Sequence, residues 1–129
     1  MEADVQFSNV LYDENRALMG MYSNSRWHFG ISTYTWHLGM GNEYTDVTVP
    51  DINGRHVINM NSINRQVKID NNLVYTFNSS LASYSATIWL FKEHRTDSRN
   101  ILSTAKLYHC RFYNNNTLVR DFVPAQYNG

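Results

Sequence analysis

The sequence predicts an all-β fold, an antiparallel two-sheet sandwich of jelly-roll type built from about ten short strands. Three observations lead there. The 129 residues include 9 Tyr, 6 Phe and 3 Trp, residue types that suit a pleated, half-buried surface. Asparagines recur in runs, at 71–72 and 114–116, and Asn tolerates the left-handed conformations that tight turns require. Apolar and polar residues alternate with a period of two in one segment after another.

Taken in chain order, EADVQF sets Ala3, Val5 and Phe7 against Glu2, Asp4 and Gln6, as expected of a strand with one wet face. Segment 10–18, VLYDENRAL, has room for a helical turn and reads equally well as a loop. RWHFGI opposes Trp27, Phe29 and Ile31 to His28 and Gly30, and TWHLGM opposes Trp36, Leu38 and Met40 to His37 and Gly39. YTDVTV, HVINMN, RQVKID, LVYTF, ATIWLF, KLYHCRFY and TLVRDFV follow as further strands. Two of the separators are hairpin signals: Asp70-Asn71-Asn72 before LVYTF, and Asn114-Asn115-Asn116 before TLVRDF.

A chain of this length forms one domain, 1–129, able to bury a single core without metal or disulfide support. Lys plus Arg and Asp plus Glu each total 11, giving a formal net charge of zero. No basic stripe is present to hold phosphates, so nucleic acid is not an expected partner. The single cysteine, Cys110, excludes an internal disulfide. The start, MEADVQF, has no basic and apolar leader pattern, and no apolar run approaches the roughly 20 residues that span a bilayer, so membrane insertion is not expected.

The C-terminal stretch KLYHCRFYNNNTLVRDFVPA resembles the closing signature of a concanavalin-like, laminin-G-like jelly-roll domain common in phage tail proteins and bacterial surface adhesins. The matching residues are Lys106, Leu107, Tyr108, Phe112, Tyr113, Asn115, Leu118 to Val123 and Pro124. LMGMYSN, WHFGIS, RQVKIDNNLVYTF and IWLFKEH resemble upstream strands of the same family, so the likeness covers most of residues 2–125. Asn116 stands where the family has Gly. Relatives begin one strand earlier and run on past the proline, which implies a module of a larger chain or one whose outer strand a neighbour supplies. The resemblance implies a virion, or else a bacterial cell-surface or extracellular setting, with a host-surface polysaccharide or glycan as partner. A neighbouring domain or subunit covering an edge strand would be a second partner.

Concanavalin-like folds also host glycosidases, which need two carboxylates about the scissile bond. The related glucanases carry Glu-x-Asp-x-x-Glu; here Glu2 and Asp4 supply the first two and Phe7 occupies the third position. Glu2 and Asp4 read instead as the solvated face of a strand. His28, His37, His56, His94 and His109 are scattered, and His109 and Cys110, as sequence neighbours, point to opposite sides of one strand. Asp46, Asp51 and Asp70 sit at strand ends or turns without calcium-loop spacing. No enzyme, metal or cofactor is expected.

A sugar offers apolar C–H faces together with hydroxyls, so a lectin-like site wants exposed aromatic rings beside polar donors and acceptors. RWHFGISTYTWHLGMGNEY concentrates such groups, and the candidate contacts are Tyr34, Trp36, His37, Asn42 and Tyr44. Trp27 and Trp36 stand in phase with apolar neighbours, which equally reads as core. Arg95 and Arg99 join the candidates from KEHRTDSRN, 92–100, the most charged stretch and the longest polar excursion. In TLVRDFV, Arg120 and Asp121 each interrupt an apolar row, so at least one is expected to make a specific polar contact with a neighbouring strand or terminus. Two functions follow: a non-catalytic recognition module that binds glycans, or a structural virion domain used for subunit assembly.

Overall fold

A computed structural model describes residues 1–7, 15–22, 26–32, 34–48, 50–79, 89–90, 93–95 and 105–124. Among these residues there are twelve strands and no helix. They are β1 (Glu2–Phe7), β2 (Asn15–Tyr22), β3 (Arg26–Ser32), β4 (Thr35–Gly41), β5 (Glu43–Val47) and β6 (Arg55–Asn61). The rest are β7 (Gln66–Ile69), β8 (Asn72–Thr76), β9 (Trp89–Leu90), β10 (Glu93–Arg95), β11 (Ala105–Asn114) and β12 (Thr117–Phe122).

Two six-stranded sheets form a sandwich. The first runs β12-β11-β1-β6-β7-β8; the second runs β10-β2-β3-β4-β5, with β9 also on β2. The described pairings are antiparallel except β10 on β2, which is parallel. Two expectations change here. Residues 15–18 of the ambiguous early segment are strand, and residues 93–95 of the charged 92–100 stretch pair with β2 instead of forming a loop. Short edge pairing needs only backbone groups, so charge is no bar to it.

The predicted alternation builds the core. Ala3, Val5 and Phe7 of β1, Ile58 and Met60 of β6 and Val67 and Ile69 of β7 are buried, as are Phe29, Ile31, Trp36, Leu38 and Met40 of the facing sheet. The sheets meet ring against ring: Phe7 and Trp36 lie 5.6 Å apart at 72°, and Trp27 and Phe112 lie 6.1 Å apart at 85°. A register shift between Ala17 and Met19 allows the consecutive Leu18 and Met19 both to be buried. Cys110 is buried in this core, which pushes its thiol up to about 11.

Both predicted hairpins form. Asp70 and Asn71 take φ of 51° and 66°, and Asn115 and Asn116 take 46° and 66°, the paired left-handed residues of a two-residue turn that matches strand twist. Asn116 thus takes a left-handed conformation of the kind that glycine adopts without strain. Gly41, at φ 62°, opens the two-residue Gly41-Asn42 link from β4 to β5. Glu43 then ties the sheets together, accepting from the Tyr75 hydroxyl at 2.8 Å and from the backbone N–H groups of Asn78 at 2.8 Å and Ser79 at 3.1 Å. The Ser79 N–H, then the Tyr75 hydroxyl, hold the Glu43 carboxyl below its ordinary range.

Candidate functional site

The outer face of the first sheet is polar, but it is not simply solvated. Arg55 Nε and Nη2 donate to the two carboxylate oxygens of Asp4 at 2.8 and 2.6 Å, and the guanidinium stacks 3.7 Å over the Tyr108 ring. Asp4 is only 5% exposed, which corrects the reading of it as a wet strand residue. The hydrogen bond from Arg55 lowers its pKa and outweighs the opposing effect of burial. A register shift after Asp4 makes room for Tyr108 beside His109, so His109 Nε2 reaches Glu2 Oε1 at 3.1 Å and the Tyr108 hydroxyl reaches Gln6 at 3.2 Å. Arg111 continues the chain to Asp121 at 3.2 Å. Glu2 and Asp4 are therefore engaged with cationic and imidazole partners, and His109 lies on the face opposite buried Cys110.

The outer face of the second sheet is different. With Trp36, Leu38 and Met40 turned inward, β4 presents His37 and Gly39 outward. Register places His37 between Gly30 on β3 and Asp46 on β5, and Gly39 between His28 and Tyr44. Gly30, Gly39 and His28 are themselves buried, so the accessible part of this face is Tyr44, Asp46 and the half-buried His37. His37 lies 5.2 Å from the His28 ring and 5.7 Å from the Tyr44 ring. His37 Nδ1 is 2.7 Å from Asp46 Oδ1. This contact fixes the ring's orientation and leaves Nε2 to meet a ligand. Tyr44 is 59% exposed. The face thus combines an accessible aromatic ring, an oriented imidazole and a carboxylate within a few strand spacings.

The predicted contacts separate into groups. His37 and Tyr44 come together on this face. Trp36 does not: it is fully buried against Phe7, Phe29 and His56, so as a ligand contact it is corrected to a core residue. Tyr34 is exposed at the β3–β4 turn, at φ 64°, a strained value for a bulky side chain. Asn42 is exposed at the other end of β4. The seven residues of β4 between them set these two about 25 Å apart, on opposite rims. Arg95 lies in β10, backbone-paired with Tyr22, and Arg99 lies outside the described residues.

Sequence reasoning missed His28 and the pairing of His37 with Asp46. Nine residues separate the latter two in the chain, and only the β4–β5 register makes them direct neighbours. The signal was available in the Gly41-Asn42 turn, which fixes that register. Among the described residues, no group of three His, Cys, Asp or Glu side chains is placed to hold a metal ion, and no helix is long and apolar enough to cross a membrane. No protein-family model, curated protein or solved structure matches this chain.

Proposed function

We propose that this chain is a non-catalytic recognition module that binds a host-surface glycan on the outer face of its second sheet. The observation that carries the reading is exposed Tyr44 beside the His37–Asp46 pair. A pyranose C–H face stacks on Tyr44, while Asp46 accepts from its hydroxyls and His37 Nε2 hydrogen-bonds to them. The resemblance of residues 106–124 to concanavalin-like domains supports a phage tail or bacterial surface setting. A glycan array with the purified chain, repeated with Tyr44→Ala, tests the proposal. Binding should weaken at least about tenfold in the variant. A uniformly negative array, or binding indifferent to Tyr44, would sink it.

A second reading, assembly with another subunit, is favoured by β12. Every residue of this outermost strand is exposed, and Leu118, Val119, Phe122 and Val123 at or beside it are 43–69% exposed. Apolar edges of this kind serve strand addition or are covered by a neighbour. A mass measurement that finds a stable oligomer, lost on Phe122→Lys, together with a negative array, would favour this reading over the first.

A further inference from the structure

His56 is a histidine enclosed between the two sheets. It is 6% exposed on the inner side of β6, where alternation would call for an apolar residue. Its Nδ1 lies 2.7 Å from Asp70 Oδ2 and its Nε2 lies 2.8 Å from the Asp51 carbonyl oxygen. Both partners are acceptors. A neutral imidazole carries one N–H, so it satisfies one contact and turns a lone pair toward the other oxygen; only the imidazolium satisfies both. Asp70 Oδ1 meanwhile accepts from the Val57 N–H at 2.9 Å, so both carboxylate oxygens face donors.

The contacts join three pieces of chain. Asp51 belongs to the 50–54 turn, where the Gly54 N–H donates back to its carbonyl at 2.8 Å. A side chain on Gly54 would collide with the Asp51 carboxylate, since a Cβ there falls 2.6 Å from Oδ2. Asp70 is the first left-handed residue of the β7–β8 turn. From the second sheet, the Trp36 ring meets the imidazole at 5.5 Å and 89°. Asp70 and Asp51 are the titratable groups that face His56; Trp36 adds none.

We propose that His56 is a proton-operated clamp. As an imidazolium it pins the 50–54 turn and the β7–β8 turn to the end of β6, and on losing its proton it releases the 50–54 turn. Burial alone would disfavour the charged ring, yet the hydrogen bonds to Asp70 and to the Asp51 carbonyl, with the charges of both aspartates, outweigh it and raise the pKa above 6.5. The sign follows from linkage. The stabilisation is fully present below the unfolded value of 6.5 and is lost as pH rises through the higher folded value.

Nuclear magnetic resonance titration of the whole chain tests the clamp, with His56 assigned by His56→Gln and Asp70→Asn as a milder variant. At about pH 6 the wild-type ring should show two ring N–H protons, where a neutral ring at any tautomer has one. The amides of 51–54 and 69–72 should move with the same midpoint as the ring, and Asp70→Asn should lower that midpoint. Relative to His56→Gln, the wild-type melting temperature should fall by about 3 °C or more between about pH 6 and pH 9. If the glutamine variant fails to fold, the ring count and the Asp70→Asn midpoint decide. A neutral His56 at about pH 6, or turn amides that ignore its titration, would overturn the proposal.

Discussion

The hairpins β7–β8 and β11–β12 begin from the same chemistry and end differently. Each turns on two consecutive left-handed residues, Asp70-Asn71 in one and Asn115-Asn116 in the other, and each supplies an edge strand of the first sheet. The β7–β8 turn is fixed by Asp70 to His56 and to the Val57 backbone, and the far end of β8 is tied to the opposite sheet through Tyr75, Asn78, Ser79 and Glu43. β12 has the Arg111–Asp121 pair along the sheet, while Arg120 donates to the neighbouring Val119 carbonyl at 2.7 Å. Its side chains are exposed throughout. Turn residues therefore set a hairpin's shape and register, whereas contacts remote in sequence decide whether its edge is finished or left open.

The contrast is sharpest at two phenylalanines. Phe77, just beyond β8, is 1% exposed and packs 4.9 Å from Tyr75, so Phe77→Ala should cost roughly 3–5 kcal/mol in urea unfolding. Phe122 touches Phe112 at 6.1 Å but is 43% exposed, so Phe122→Ala should cost no more than about 1 kcal/mol. Equal losses would mean that β12 is not an open edge. An intermediate effect is expected at the turn itself. Asn116→Val forces a β-branched residue to φ 66° and should cost roughly 1–3 kcal/mol, with Asn116→Gly tolerated.

Acid titration separates the two hairpins again. The Glu43 carboxyl, held low chiefly by the Ser79 N–H, stabilises the fold above its unfolded value of 4.5, and that contribution fades as pH falls through the lower folded value. Glu43→Gln should therefore be less stable at neutral pH and should show a shallower loss of stability on acidification below about pH 5. A variant with the wild-type acid profile would remove Glu43 as the tie between sheets. The smallest expected effect is Asp121→Asn, which weakens one exposed pair with Arg111 and should shift stability by under about 1 kcal/mol.

Much of this was legible in the chain. Period-two alternation located β1, β3 and β4 with their apolar rows in the core, β6 and β7 were located as strands without a stated face, and the Asn runs located both hairpins. The polar contact expected at Arg120-Asp121 exists, from Asp121 to Arg111 on the adjacent strand. The reason given for it, burial of the strand, does not hold, because an alternating apolar row does not say whether anything packs against it. Likewise, periodicity put Trp36 in phase with Leu38 and Met40, and the core claimed it from the list of sugar contacts. The His37–Asp46 pair, the Arg55–Asp4 clasp and the His56 contacts each join residues on different strands or turns, so they depend on register that alternation does not state.

The two faces of the recognition proposal can be set against each other in one measurement. Backbone resonances of labelled protein are followed as the best-binding glycan from an array is added. The account predicts shifts concentrated at His28, His37, Gly39, Tyr44 and Asp46, with Leu118 to Phe122 of β12 unmoved. Shifts confined to β12, or none at the second-sheet face at saturating glycan, would contradict it.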